Sequence, residues 1–161
     1  SSVSPSAWKL FWCMTFTSVQ RNSIYRLLTG KVPTKSLLFN MALSTAPNPF
    51  CSFCQEVETV FHFFFRCPQK FIFWDIVIRE FLWPGTSIDD ISSALQSLDF
   101  NKINVNNSCP IEVEMLLVIA LSELWKAHWT HMHRREPFLA SIAFSQTLRA
   151  VGRRAAEETN C

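Results

Sequence analysis

The chain has 161 residues, of which 48% are hydrophobic and 14% aromatic, and it contains only three glycines. This composition is typical of a globular protein with a large core and excludes an intrinsically disordered chain. The longest apolar run, residues 115–121, is far shorter than the roughly 20 residues that cross a bilayer, so we expect no membrane span.

The net charge of +2 conceals three regions of different sign. Residues 1–70 carry seven Lys or Arg against two acids, a net charge of +5. Residues 71–125 carry two against eight, a net charge of −6, and residues 126–161 carry six against three, a net charge of +3. The basic N-terminal region could contact phosphate, or it could dock on the acidic middle of its own chain. The charge counts leave both possibilities open.

Local signals in the first half predict short helices. Residues 1–7 are rich in Ser and Pro, and we expect them to be loose. Apolar spacing predicts a helix over residues 19–28 that stops at Gly30. Thr34 predicts the N-cap of a second helix over residues 35–43.

The second half predicts longer helices. A turn at residues 47–49 leads into a loop with one short helical stretch. Ser87, followed three residues later by Asp90, predicts a capping box. The helices that we expect after this loop cover residues 71–82, 88–98, 111–133 and 138–156. The third is apolar around much of its circumference, so we expect it to be central and buried.

One constellation dictates chemistry. Cys51, Cys54, His62 and Cys67 form a Cys-x2-Cys-x7-His-x4-Cys array. Three thiolates and an imidazole at short spacing are the ligands of tetrahedral zinc, so the array predicts a Zn²⁺ site. Because the protein supplies all four ligands, no position is left for water, which indicates a structural site.

The other cysteines are scattered. Cys13 lies between Trp12 and Met14, and we expect it to be a small buried hydrophobe. A chain this rich in core residues does not need disulfides, which predicts a reducing, intracellular compartment. The sequence has no secretory signal and begins without Met, so we expect a fragment or a processed product.

Several residues around the array are candidates for supporting roles. Glu58 could accept the free ring N–H of His62 and fix its tautomer, or it could simply begin a helix. The predicted phosphate ligands, each with a solvated helix face as the alternative, are Arg66, Lys70, Arg21, Arg26, Lys31 and Lys35.

Aromatic residues crowd the last ligand of the array: Phe61, Phe63, Phe64, Phe65, Phe71, Phe73 and Trp74. They could stack on unpaired bases, but core packing is the favoured interpretation, with Phe73 or one of residues 63–65 exposed. The sequence has no Gly-rich phosphate loop and no motif that marks a nucleophile. We therefore expect no catalysis and no small-molecule substrate.

The array stands within a wider pattern. The segments Cys51-Ser-Phe-Cys54, Glu58-Thr59, His62-Phe63, Cys67-Pro68 and Trp74 resemble the zinc-binding domain of LINE-type (non-LTR) reverse transcriptases, which reads roughly C-x-x-C, E-[ST], H-[LIF]-[F], C-P, W. The preceding YRLLTGKVPTK is similar to the family's W-R-L-L-H-G-x-L-P-T-[KR], with Tyr25 in place of the common Trp. The later LWKAH resembles I-W-K-[AE]-[RH]-N.

This resemblance implies a non-catalytic module that follows a polymerase domain and handles RNA or DNA during target-primed reverse transcription, in the nucleus. We therefore expect a mainly α-helical protein with a CCHC zinc module, a zinc-binding domain over residues 8–83 and a helical extension over residues 84–161. The alternative is a zinc-stapled structural or protein-interaction domain retained by a host. A decayed element fragment is a third possibility.

Overall fold

The computed structural model describes residues 3–42 and 46–160. The helices are α1 (Pro5–Cys13), α2 (Ser18–Thr29), α3 (Lys35–Asn40), a π-helical segment (His62–Arg66), α4 (Pro68–Phe81), α5 (Ile88–Ser97), α6 (Val113–Arg134) and α7 (Ala140–Thr159). The described residues form no strand, only two isolated antiparallel bridges, Phe50 with Val57 and Leu82 with Val105. The predicted mainly α-helical fold is confirmed.

Side-chain N-caps begin several of these helices, and the caps of α3 and α5 are formed by the residues that the sequence predicts. Thr17 and Gln20 form a capping box at α2, and Ser87 and Asp90 form another at α5. The hydroxyl of Thr34 accepts a hydrogen bond from a backbone N–H of α3. These caps satisfy N–H groups that have no partner inside their helix.

The expectation of a loose N-terminus is wrong from residue 5 onward. Ser4 accepts a hydrogen bond from the backbone N–H of Ala7, and Pro5 occupies the first position of α1. Pro suits that position because its φ is already helical and it has no N–H to leave unpaired. Cys13, at the end of α1, is exposed, so its predicted burial is also wrong.

The helix predicted over residues 35–43 is shorter than expected. α3 ends at Asn40, and Ala42 takes a left-handed conformation with φ of 56°. Residues 43–45 lie outside the described part of the chain. The turn predicted at residues 47–49 is present, and the side-chain oxygen of Asn48 accepts a hydrogen bond from the N–H of Phe50.

α6 lies at the centre of the molecule, as predicted. Residues 115–124 are buried all around the helix, and α2 and α7 pack against it, while α4 packs mainly on α7. One continuous core extends from Phe11 in α1 to Val151 in α7. The division at residues 83 and 84 stays a prediction, and helices on both sides of it share this core. Within the described residues, no helix has both the length and the hydropathy to cross a membrane.

Two glycines with different backbone conformations allow a test of how substitution affects stability. Gly30 ends α2 with φ of +67°, whereas Gly152 lies inside α7, and a Cβ would meet nothing within 4 Å at either position. We expect Gly30→Ala to lower the free energy of unfolding by about 1–2 kcal/mol, since a left-handed conformation strains a side chain. Gly152→Ala should raise it by about 0.4–1 kcal/mol. Urea denaturation measures both, and shifts of the same sign would contradict the assignment.

Candidate metal centre

The structure brings the four predicted ligands together. The ligand atoms of Cys51, Cys54, His62 and Cys67 all lie within 4.8 Å of one another. The Sγ atoms of Cys51 and Cys67 are 3.9 Å apart, and Sγ of Cys54 lies 3.3 Å from Nε2 of His62. Cys54 is half-buried, and the other three residues are buried. The cluster is therefore largely screened from solvent.

A tight loop presents the first two cysteines. The N–H of Cys51 donates to the carbonyl of Glu56 at 2.7 Å, and the N–H of Gln55 donates back to the carbonyl of Cys51 at 3.0 Å. Gln55 takes a left-handed conformation with φ of 68°, which reverses the chain. The backbone N–H of Phe53 points at Sγ of Cys51 from 3.4 Å, so the loop stabilises negative charge on that sulfur.

A π-helical segment presents the other two ligands. In an ideal α-helix, residues five apart point about 140° away from each other, so His62 and Cys67 would not face one ion. Here the N–H of Cys67 donates to the carbonyl of His62 at 3.0 Å, the five-residue hydrogen bond of a π-helix. The wider turn brings the two residues onto the same side. The chain then leaves helical geometry at Cys67, and α4 begins at Pro68.

The dimensions of the cluster fit a tetrahedral zinc ion. With zinc–sulfur bonds of about 2.3 Å and zinc–nitrogen bonds of about 2.0–2.1 Å, neighbouring ligand atoms lie about 3.5–3.8 Å apart. Two of the separations, 3.9 Å and 3.3 Å, lie close to this range, and all four ligand atoms lie within 4.8 Å of one another, about 1 Å beyond it. Three thiolates and an imidazole are also a donor set that zinc commonly takes. Small shifts of the side chains suffice to hold the ion.

The thiols of the cluster share protons unequally. The hydrogen bond between Cys51 and Cys67 lowers the pKa of Cys67 to about 7, and the same contact, with burial, raises the pKa of Cys51. Burial raises the pKa of Cys54. The contact thus favours one thiolate and one thiol in the Cys51–Cys67 pair, and metal binding would displace the remaining protons of the cluster.

Glu58 has a different role from the predicted hydrogen bond to His62. Its side chain is buried, and Oε1 accepts a hydrogen bond from the backbone N–H of Lys35 at 2.8 Å. The carboxylate thus pairs with an N–H of the first turn of α3, and its negative charge interacts favourably with the positive end of the helix dipole. Thr59 holds the ligand-bearing segment instead, because its hydroxyl accepts a hydrogen bond from the N–H of His62 at 3.2 Å.

Lys70 is buried, and the prediction that it contacts phosphate is wrong for this structure. Only 1% of the residue is exposed. Its Nζ donates to the carbonyl of Phe63 at 2.7 Å and lies 3.1 Å from Nδ1 of His128 on α6. Burial lowers the pKa of Lys70 to about 8, while the negative charges of Cys67 and Glu58 oppose that shift.

The sequence contains a signal for this burial. Lys70, Phe73, Trp74, Val77 and Phe81 are the buried residues of α4, and they follow the three- and four-residue spacing of a single helical face. A lysine on that face must bury its charge. The charge of Lys70 alone predicts a phosphate contact, whereas the helical spacing of the residues around it indicates a buried side chain.

Aromatic contacts surround the ammonium group of Lys70. Its Nζ lies 4.5 Å from the ring centre of Phe63 and 5.5 Å from those of Phe53 and Phe138. Phe53 belongs to the loop at residues 51–57 that presents Cys51 and Cys54, which we call the metal loop. The centre of its ring also lies 4.5 Å from that of His131. Burial and the nearby positive charge of Lys70 lower the pKa of His128, so its imidazole is neutral and can accept the lysine's hydrogen bond.

Three thiolates on a divalent ion carry one net negative charge. The ammonium group of Lys70 supplies a buried positive charge that opposes it, and His128 and Phe138 place that group against α6 and the segment before α7. The metal loop and the C-terminal helices are thus joined through one side chain.

The other predicted phosphate ligands lie in different environments. Arg21 donates to the carbonyls of Phe11 at 3.3 Å and Met14 at 2.7 Å, where it holds the end of α1. Arg26 donates to Asn22 and to the carbonyl of Lys31. Lys31 is exposed and Lys35 half-buried. Arg66 is exposed and pairs with Asp89 at 3.2 Å.

The favoured core role of the aromatic cluster is confirmed for most of its members. Five of them are fully buried: Phe63, Phe64, Phe65, Phe73 and Trp74. The indole N–H of Trp74 donates to the carbonyl of Phe64 at 2.7 Å. The expectation that Phe73 or one of residues 63–65 is exposed is wrong, and Phe71, on the outer face of α4, is exposed instead.

Comparison with known proteins agrees with this geometry. Residues 2–74 match the family model described as zinc-binding in reverse transcriptase. All four clustered residues lie inside the matched segment, which ends within α4. The predicted resemblance to a reverse-transcriptase zinc-binding domain is therefore confirmed over this part of the chain. No curated protein and no solved structure matches the chain.

We expect Cys54→Ser to abolish stoichiometric metal binding and to lower the free energy of unfolding by several kcal/mol. Structural zinc contributes about 10–16 kcal/mol of binding free energy in zinc-finger peptides, and that energy becomes folding energy. Cys13→Ser is the matched control, because Cys13 is exposed at the end of α1. Elemental analysis and thermal melting measure both variants. Unchanged metal content and melting in Cys54→Ser would contradict the site.

Lys70→Met tests the buried charge. The variant keeps most of the side-chain volume but leaves the carbonyl of Phe63 and Nδ1 of His128 without a donor. We expect it to lower the free energy of unfolding of the metal-loaded protein by about 3–5 kcal/mol. Lys102→Met, at an exposed position, should change it by less than about 0.5 kcal/mol. Equal urea stability of the two variants would refute the role of Lys70.

Proposed function

We propose that this chain is the non-catalytic zinc-binding module of a LINE-like reverse transcriptase and binds RNA or DNA in the nucleus during target-primed reverse transcription. The observation that carries the proposal is the match of residues 2–74 to the reverse-transcriptase zinc-binding family, with all four clustered residues inside the match. Zinc is the proposed ion because three thiolates and an imidazole suit it better than magnesium or calcium, which prefer oxygen ligands.

A non-catalytic role for the metal site is supported by the number of ligands that the protein supplies. The four side chains fill a tetrahedral ion, so no position remains for a reacting water or substrate. The ion would hold the loop at residues 51–57 against the π-helical segment. Polymerase chemistry would belong to another domain, which we propose as the partner of this one.

Nucleic-acid binding is supported by the charge of the N-terminal region. Residues 1–70 carry a net charge of +5. Lys31 is exposed, and Arg66 is exposed with a single acidic partner, Asp89. An exposed ion pair of this kind contributes only about 0–1 kcal/mol, so a phosphate can compete for the arginine.

The protein-interaction alternative also has an observation in its favour. Three apolar side chains of α7 and the residue before it are exposed: Leu139, Ile142 and Leu148. Such a surface could contact another domain. The two functions differ in salt dependence, because apolar docking releases no counterions from a nucleic acid.

The test is the affinity for single-stranded RNA and for DNA over a series of salt concentrations. We expect the logarithm of the association constant to fall linearly with the logarithm of the salt concentration. Lys31→Gln combined with Lys35→Gln should weaken binding and reduce the slope by about 1–2, since each phosphate contact contributes about 0.7 for a single strand.

Lys102→Gln is the matched control, because Lys102 is exposed within the acidic middle of the chain. It should leave both the affinity and the slope unchanged. If the wild-type protein binds neither RNA nor DNA at low salt, nucleic-acid binding is refuted, and the protein-interaction alternative remains.

A further inference from the structure

The N-terminal segment of the chain carries positive charge and no negative charge. Residues 1–55 contain Lys9, Arg21, Arg26, Lys31 and Lys35 and no Asp or Glu. This stretch forms α1, α2, α3 and the start of the metal loop. Two acids near α1 come from other elements, Asp99 and Glu114, which line the cavity on the side of α1 formed by Leu10 and Met14.

Aromatic rings are exposed on this basic surface. Trp12 of α1 is 55% exposed, and its ring stacks on that of Trp8 with centres 6.4 Å apart and planes 20° from parallel. Tyr25 of α2 is 37% exposed, with its ring centre 6.3 Å from that of Trp12. We call Trp8, Trp12 and Tyr25 the α1–α2 aromatic face. Its rings come from two helices and meet at one place.

Arg21 fixes the relative position of the two helices beneath this face. Its guanidinium lies 5.4 Å from the ring centre of Trp12 and 5.3 Å from that of Phe11. Its hydrogen bonds to the carbonyls of Phe11 and Met14 hold the end of α1 against α2. The aromatic face is therefore pre-organised, and little ordering would be needed when a ligand binds.

Positive side chains border the face. Lys9 is exposed one helical turn before Trp12 on α1. On α2, Arg26 follows Tyr25, and its bond to the carbonyl of Lys31 keeps that exposed lysine beside the end of the helix. α7 brings Glu158 toward the α1–α2 connection, and there the carboxylate is paired with Arg154.

We propose that the α1–α2 aromatic face binds single-stranded nucleic acid, with an unpaired base stacked against Trp12, Tyr25 at its edge, and the backbone phosphates beside Lys9 and Lys31. This inference rests on the proposed nucleic-acid-binding function and names the surface and the form of the ligand. A single strand is favoured over a duplex because base faces are accessible to protein rings only when the bases are unpaired.

Trp12→Ala tests the proposal, with Trp83→Ala as the matched control. Trp83 is 57% exposed, almost the same as Trp12, but it lies in the acidic middle of the chain. The probes are an unstructured single-stranded RNA and the duplex of the same sequence, at equal salt. We expect Trp12→Ala to weaken single-strand binding by about 5- to 150-fold, the loss of one stacked base. Duplex binding should be unaffected, as should both affinities of Trp83→Ala.

A second variant distinguishes the loss of stacking from misfolding of the protein. Trp12→Leu keeps an apolar side chain on α1 but removes the stacking surface, and we expect the same selective loss of single-strand affinity. Because neither variant removes a charge, the slope of affinity against salt should stay that of the wild type. Metal content and circular dichroism should match those of the wild type in each variant.

Three results would overturn the inference. If the wild type binds single strands and both Trp12 variants bind equally well, the surface is wrong and the proposed function stands. If the variants lose single-strand and duplex affinity to the same extent, the surface contacts nucleic acid without stacking on an unpaired base, and the inferred single-stranded ligand is wrong. If the wild type binds no nucleic acid at low salt, the inference and the proposed function both fail, and the face is a protein contact.

Discussion

Two separate segments of this chain supply the four side chains of one metal site, and a bound ion would join them. Two thiols come from the loop at residues 51–57, and a third thiol and an imidazole come from the π-helical segment His62–Arg66 and the residue that follows it. The thiols of Cys51 and Cys54 have raised pKa values, so their charged forms are unfavourable unless a cation binds them. A bound ion would therefore act as the local core of this region.

The influence of the cluster extends beyond its ligands through Lys70. That side chain carries positive charge into the interior beside the thiolates, and His128 on α6 accepts its hydrogen bond. Phe53 of the metal loop and Phe138 before α7 both contribute ring faces to the same ammonium group. The segment that matches the family model and the C-terminal helices therefore share this buried charge as well as the apolar core that spans them. α2 packs directly on α6, so the first 74 residues do not form a separate core.

Sequence reasoning succeeds where the signal is local. The ligands follow from their spacing, and the stop at Gly30 follows from a backbone conformation that favours glycine. It fails where the third dimension decides. The charge of Lys70 predicts a phosphate contact, and this prediction leaves out the helical spacing that places Lys70 on the buried face of α4. Glu58 has a partner 23 residues away, at Lys35, which no local pattern predicts. The widened turn before Cys67, which brings this residue onto the same side as His62, likewise has no local sequence signal.

The most direct test of this account is X-ray absorption at the metal edge of the protein purified under reducing conditions. We expect one equivalent of zinc with three sulfur neighbours at about 2.3 Å and one nitrogen neighbour at about 2.0–2.1 Å. Absence of stoichiometric metal, or a shell dominated by oxygen and nitrogen, would contradict it, because Cys51, Cys54 and Cys67 would then have no common ion.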